Sequence, residues 1–354
     1  MTAKKIPFLS LSLAECGEVF RAMGASPRHA QWVRRNLLHG RPPVANPRTG
    51  FTLPLGFLES FEQEYTWCSS LSVEQIQGGD GSEKHLLQLA DGQRIEAVRM
   101  PGKAAPSACL SSQVGCAMAC RFCASGLNGV VRNLEAHEIL EQVVVLRRRG
   151  AVQRLVFMGA GEAVQNLQAL KTVLPVLRDE GSLGPRYVLV STVGPPQAID
   201  RLASLDLKVT LALSLHSLDQ ELRGELIPTQ AHVEPLELLN AADRYRQHSG
   251  RSYQVEYVLL GGVNDSRADA RDLARAMKGR RGHLSLIAWN PIPEMAFEQP
   301  SQAAVRAFME VLHQEGISCT LRQTVGEQAT AACGQLRAGT YPNHTTSNSG
   351  MIVP

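Results

Sequence analysis

Four of the chain's eight cysteines fall in one short stretch, SACLSSQVGCAMACRFCASG, residues 107–126. Cys116, Cys120 and Cys123 form a C-x3-C-x2-C run, and Cys109 lies upstream, off that spacing. A structural zinc site takes four ligands, and an ordinary 4Fe–4S cluster takes one thiolate per iron. Three thiolates on a four-iron cluster leave one iron open to an exogenous chelate. Zinc would need a fourth ligand, from Cys109 or from His137. The spacing is poor for zinc and no second C-x2-C pair exists, so iron–sulfur is the favoured reading.

The elements that must position this run alternate in kind. From about residue 108 to 323, apolar strand-like runs (RLVFMG, RYVLVST, KVTLALSLH, YQVEYVLL, HLSLIAWN) are separated by helical patterns. One of these, LEAHEILEQVVVLRRRG, starts acidic and ends in Arg147, Arg148 and Arg149 before Gly150, as the helix dipole prefers. The alternation predicts a parallel sheet, open or curled into a barrel. The strand runs end in Gly161-Glu162, in Ser191 and Thr192, in Ser214 and His216, and in Asn290. Solvent at a strand end explains any one of these. Gathered at the carboxyl ends of parallel strands, they predict one ligand lying across the barrel mouth. Gly159 and Gly161 would let the backbone approach that ligand closely. Upstream, KHLLQLADGQRIEAV reads as a hairpin turning at Asp91-Gly92.

At 354 residues, 44% hydrophobic and 19% charged, the chain can bury a full core and reads as a large domain plus a small one. No apolar run reaches the length of a membrane span. The first residues start basic, carry Glu15 and Glu18 and show no cleavage site, so a secretory leader is not expected. In a reducing cytoplasm the cysteines should be thiols, ligands or catalytic groups, with Cys16, Cys68 and Cys319 as buried or spectator thiols. Residues 19–58 hold Arg21, Arg28, Arg34, Arg35, Arg41 and Arg48 and no Asp or Glu. A solvated helix face is the plain explanation. A polyanion-binding surface, weakened by replacing Arg34 and Arg35, is the sharper one. The expected organisation is an accessory region over 1–85, a hairpin extension over 86–107, an α/β body over 108–336 and a loose tail over 337–354.

The run ending in CRFC resembles the cluster motif of radical S-adenosylmethionine (SAM) enzymes. Together, CLSSQVGCAMACRFCASGLNGVVRNL, STVG, LSLH, EYVLLGGVNDS, NPIP and AACGQL resemble the RlmN/Cfr family of RNA adenine methyltransferases, from about Gly81 to Leu336. The resemblance implies a partial (βα)6 radical SAM barrel with a small N-terminal accessory domain that contacts RNA. It implies one 4Fe–4S cluster on Cys116, Cys120 and Cys123, and SAM, two molecules per turnover, held by Gly161, Glu162, Ser191, Ser214, Leu215, His216 and Asn290. The implied activity is methyl transfer to an adenine ring carbon of RNA, with C2 favoured over C8 and ribosomal RNA as the default target. The enzyme would be a cytoplasmic monomer reduced by an electron donor of unknown identity.

Family chemistry accounts for the remaining cysteines. Adenine C2 lies between two ring nitrogens, is electron-poor and will not attack a sulfonium methyl group, but a carbon radical can add to it. By position in AACGQL, Cys333 matches the thiol that carries the methyl group as S-methylcysteine. By position, Cys109 matches the resolving thiol, which attacks the Cys333 sulfur and frees the base as a transient disulfide forms. Glu96 matches the acceptor of the ring proton, and its neighbours Ile95 and Ala97 predict a partly desolvated carboxyl. Arg132 and Asn133 belong to the motif without an assigned step.

Three stretches depart from the family pattern: GAGEA (159–163) for GMGEP, IPTQ with Gln230 for MP-x-N, and VGEQATAAC for an acidic, Ile-containing approach to the last cysteine. The chemical residues match while their surroundings drift. Two other readings stay open: the same chemistry at C8 or on another RNA, and a radical SAM or iron–sulfur protein that no longer methylates RNA. Loss of Cys109 or Cys333 would mark the last, and both are present. A base in folded RNA must be extruded or already unstacked to be reached.

Overall fold

The computed structural model describes residues 5–44, 52–102 and 105–337. Its main sheet has ten strands: β1 (Leu71–Gln77), β2 (Glu83–Gln88), β3 (Arg94–Met100), β4 (Ser107–Cys109), β5 (Arg154–Phe157), β6 (Val188–Thr192), β7 (Thr210–Ser214), β8 (Tyr253–Leu259), β9 (His283–Ala288) and β10 (Cys319–Leu321). Their order across the sheet is their order in the chain. Strands β4 to β10 run parallel, and β1 to β3 continue the sheet antiparallel from β4. Ten helices accompany them: α1 (Leu13–Ala22), α2 (Pro27–Leu38), α3 (Phe57–Glu64), α4 (Ala136–Arg149), α5 (Leu167–Asp179), α6 (Pro196–Ser204), α7 (Gln220–Leu226), α8 (Pro235–Ser249), α9 (Arg267–Met277) and α10 (Gln302–Gln314).

Six helical crossovers joining seven parallel strands make the expected (βα)6 arrangement, ended by the short β10. The sheet is open, with β1 and β10 at its edges. Parallel strands are covered on both faces, so β7 buries Leu211, Ala212 and Leu213 in succession. The hairpin turns where expected: the Gly92 amide donates to the Leu89 carbonyl at 2.9 Å, and Gly92 has φ +87°. The antiparallel run begins at Leu71, well before the expected hairpin, so a division at residue 85 falls inside β2.

The N-terminal helices carry an aromatic core. Phe8, Phe20, Phe57 and Phe61 are buried, and Phe61 stacks on Trp67 at 3.9 Å between ring centroids. The segment is tied to the α/β body by arginines. Arg34 is 1% exposed, donates to Glu180 at 2.7 Å and reaches the Leu11 carbonyl at 2.6 Å. Arg147, at the end of α4, donates to the Leu38 and Gly181 carbonyls at 2.5 and 2.8 Å.

This corrects one expectation. Arg34 cannot meet a phosphate; it is a buried staple whose compensating acid, Glu180, lies 146 residues away in sequence. Arg21, Arg28, Arg35 and Arg41 are exposed, and Arg48 lies outside the described residues, as does the tail beyond Arg337. No helix among the described residues is long and apolar enough to cross a membrane.

Removing one partner of a buried ion pair strands the other. Arg34→Ala should therefore cost about 3–5 kcal/mol of stability, and exposed Arg35→Ala no more than about 0.5 kcal/mol. Thermal melts of the two variants check this; indistinguishable melts would contradict the staple.

Candidate active site

The segment after β4 builds the first part of the site. Ser111 is fully buried. Its hydroxyl donates to the Glu96 carbonyl at 2.6 Å and accepts from the Ala160 amide at 3.0 Å. Its own amide and carbonyl bond to the Gln142 side chain on α4 at 2.8 and 3.0 Å. The chain then pairs briefly with Val130–Asn133 and turns through the cysteine run. Trp289 Nε1 donates to the Phe122 carbonyl at 2.9 Å and fixes that run over the barrel mouth.

Cys116, Cys120 and Cys123 line one cavity of about 850 Å³, open solvent at its mouth included. Its floor is apolar, with Phe157, Val193, Val258 and Trp289. Gly159, Gly161, Glu162, Ser191, Ser214 and His216 line the same cavity, so six residues expected around a ligand converge on it. Zinc would need a fourth ligand beside the three thiols. With Zn–S near 2.3 Å, a tetrahedral ion holds its sulfurs within about 3.8 Å of one another. Among the described residues, no three His, Cys, Asp or Glu side chains are placed to hold one metal ion. Both candidates for a fourth ligand are elsewhere: Cys109 lines a different cavity, and His137 Nδ1 lies 3.2 Å from Glu135. Thiols around one wide cavity fit a cluster in which each binds its own iron.

Glu162 is buried. The Val193 amide donates to its Oε2 at 3.2 Å, and Oε1 has no hydrogen-bond partner. Burial pushes the carboxyl up to about 7. A buried carboxylate with an open oxygen at a cavity wall fits the ammonium of an amino-acid ligand. His216 has φ +66°, and its Nδ1 accepts from the Val258 amide at 3.1 Å, which places the ring proton on Nε2. Burial, helped by the Arg223 charge, pushes it down to about 3, so the ring is a neutral donor. The Ser191 and Ser214 hydroxyls lie 3.2 Å apart.

The two glycines also permit a close approach within the chain. A Cβ on Gly159 would lie 2.7 Å from the Leu110 backbone, and one on Gly161 would lie 2.6 Å from the Gln113 amide nitrogen. The close approach they permit is to the chain segment before the cysteines. That packing also accounts for GAGEA. Ala160 and Ala163 are buried, and the loop is held by Ser111 and by Gln113, whose Oε1 accepts from the Glu162 amide at 2.8 Å. Asn133 finds its place here, accepting from Gln113 Nε2 at 2.7 Å. Arg132 bridges Asp91 of the hairpin turn and Glu138 of α4.

Two expected SAM contacts lie outside this cavity. Leu215 is fully buried, and its carbonyl accepts from Arg223. Asn290 lines a second cavity of about 640 Å³ and donates to the Cys333 carbonyl at 3.0 Å. Cys109 lines this second cavity, and Cys333 lines both. All eight cysteines are free thiols. Burial pushes Cys109 up to about 12; Cys333 is open to the cavities, yet the surrounding protein pushes it up to about 11. Arg322, in the second cavity, opposes both shifts. It pairs with buried Glu256 at 3.3 Å, while Glu256 Oε1 is left without a partner in the wall of the first cavity. Sequence reasoning missed both residues; a charged side chain inside the apolar run YQVEYVLL was the available signal for Glu256.

Glu96 lines neither cavity. It is 1% exposed, more deeply buried than expected, and faces the Cys333 loop from β3.

Residues 110–274 match the Radical SAM superfamily. A relative from Rhodopirellula baltica, "Probable dual-specificity RNA methyltransferase RlmN", is 40% identical over 340 residues, covering 94% of this chain and 91% of its own. A relative of the same name from Synechocystis is 43% identical over 342 residues, covering 96% of each. The crystal structure of a radical SAM methyltransferase from Sphaerobacter thermophilus superposes with a TM-score of 0.86 at 36% identity, covering 94% of this chain and 99% of that one. Identity of this order along nearly the whole chain, on the same fold, means that the chain belongs to the RlmN family of radical SAM RNA methyltransferases.

Proposed function

We propose that the protein methylates an adenine ring carbon, C2 in preference to C8, in a structured RNA, with ribosomal RNA as its first target. The observation that carries this reading is the placement of Cys333 in the wall shared by the cavity of the cysteine run and the cavity of Cys109. One sulfur can there meet a methyl donor on one side and a second thiol on the other. The relatives' shared name, with its dual specificity, supports an RNA substrate and more than one RNA target.

Cys116, Cys120 and Cys123 would hold a 4Fe–4S cluster, and Glu162, His216, Ser191 and Ser214 would hold SAM against it. Bound there, the two supply a methyl group and, after one-electron reduction, a carbon radical. The chain's own residues do the rest. The Cys333 thiol loses its proton and forms an S–CH3 bond. Arg322, the cation beside both thiols, favours their ionised forms. Once the ring is bonded through the methylene carbon to Cys333, Glu96 takes the ring proton, and the unpaired electron left on the ring would return to the oxidised cluster. The Cys109 thiolate then attacks the Cys333 sulfur: an S–S bond forms, the S–carbon bond breaks, and the carbon leaves with a proton as methyl. The phosphates would meet Arg21, Arg28, Arg35 and Arg41.

Anaerobically reconstituted protein should carry one 4Fe–4S cluster, and Cys116→Ala, Cys120→Ala or Cys123→Ala should each abolish it. Iron analysis and electron paramagnetic resonance read the outcome; stoichiometric zinc instead would overturn the mechanism.

The two mobile cysteines should part company. Cys333→Ala should abolish methyl transfer with the cluster intact. Cys109→Ala should accumulate a protein–RNA conjugate, visible as a gel shift, that Cys333→Ala never forms. Wild-type turnover by Cys109→Ala would remove its assigned role.

The reading as a whole is tested with total RNA and labelled SAM, digestion to nucleosides and chromatography. Label in 2-methyladenosine is expected. Label in 8-methyladenosine would move the position, and no labelled nucleoside from a loaded, SAM-cleaving enzyme would refute RNA methylation.

A further inference from the structure

The loop that carries Cys333 is held at two points by one buried ion pair. Lys84, on β2, and Glu96, on β3, are each 1% exposed and lie 3.2 Å apart, Nζ to Oε1. A lysine ammonium has three N–H donors. Here one faces Glu96, and the other two reach the Thr330 carbonyl at 3.1 Å and the Thr330 hydroxyl at 2.8 Å. The other Glu96 oxygen, Oε2, accepts from the Arg337 amide at 2.5 Å. Cys333 lies between the two anchors, Thr330 before it and Arg337 after it.

Thr330 sits at φ +47°, ψ +41°, the left-handed region. For a β-branched residue that backbone is strained and needs outside support. Lys84 supplies it by holding the residue's carbonyl and hydroxyl at once. The loop has other contacts as well. Asn290 donates to the Cys333 carbonyl, the Ala124 amide to the Gly334 carbonyl at 2.7 Å, Gln335 to the Pro291 carbonyl and the Ser125 hydroxyl to the Leu336 carbonyl at 2.6 Å. The Gly326 amide donates to Asp80 at 2.6 Å, the Gly79 amide to Gln328 at 2.9 Å, and Arg337 pairs with Glu294 at 2.5 Å. Charged groups acting on Lys84 besides Glu96 include Glu74 from β1 and Arg337 from the loop itself.

We propose that the Lys84–Glu96 pair is a latch for the Cys333 loop, and that neutralising Glu96 opens it. Lys84 is a positioning residue in this scheme. A protonated Glu96 no longer balances the buried ammonium from 3.2 Å, and loss of the close partner of a buried charge is strongly unfavourable. Its oxygens also become poorer acceptors for the Arg337 amide. Both anchors weaken together.

The catalytic consequence rests on the reading of Glu96 as proton acceptor. The ring's C–H proton moves to Glu96, the electron pair stays in the ring, and the same transfer frees the loop. The Cys333 sulfur then becomes movable toward Cys109 only after the ring has lost its proton. Resolution cannot overtake deprotonation.

The latch is testable without RNA or SAM. Full-length, cluster-loaded protein is treated anaerobically with iodoacetamide, and labelling of each cysteine is followed by peptide mass spectrometry. Glu96→Gln, a neutral isostere, should speed Cys333 labelling about tenfold, the factor that one hydrogen bond of roughly 1.4 kcal/mol represents. Cys68 labelling should stay unchanged. Lys84→Met should act like Glu96→Gln, and Lys84→Arg should restore slow labelling. Arg337→Pro deletes the amide donor at the far anchor and leaves Lys84 and Glu96 themselves in place; it should speed labelling more than Arg337→Ala, which loses the same guanidinium but keeps that amide. Wild-type labelling rates in Glu96→Gln and Arg337→Pro would overturn the latch, as would equal rates in Arg337→Pro and Arg337→Ala. Such a failure would leave RNA methylation standing. Fast labelling combined with normal turnover by Glu96→Gln would remove the acceptor role and break the link to catalysis.

Discussion

Ser111 is the point on which the site depends. With no contact to solvent, its hydroxyl joins the backbone of the strand bearing Glu96 to the loop bearing Glu162, and its backbone is clasped by Gln142 of α4. Each bond is worth only about 1 kcal/mol in net stability. Their importance is geometric. The antiparallel extension, the first parallel strand, the glycine loop and the first helix are set at fixed distances by one side chain smaller than any of them could displace. The cysteine run begins five residues later and inherits that placement.

The cavity wall concentrates polar atoms left without partners. Glu162 and Glu256 line it, each with its Oε1 left without a partner. Buried groups of this kind are rare in folded proteins and are costly where they occur. Two of them in the wall of one apolar cavity leave acceptors open to the donors of a guest. Gln230, which replaces an Asn, is buried with its amide nitrogen on the Thr229 carbonyl, while the Thr229 hydroxyl reaches the Met118 carbonyl in the cysteine run.

What could be read from the sequence was what is local. The spacing of the three cysteines, the polar strand ends, the Asp91-Gly92 turn and the dipole-ordered helix α4 all express themselves within a few residues. The five longer parallel strands announced themselves as apolar runs, whereas β4 and β10, three residues each, are too short to show a period. Long-range pairing was invisible. Nothing near Arg34 reveals Glu180, so a staple looked like a phosphate contact. Asn290 stood at a strand end like Ser191, Ser214 and His216, and nothing near it in sequence revealed that it holds the Cys333 carbonyl, where the last loop folds back over β9. Lys84 gave one signal, a lysine in a strand whose other residues are almost all buried, and only the partner loop explains it.

Cys333 belongs to two rooms at once. Any group attached to its sulfur therefore changes the shape of both, and the two cannot be filled independently.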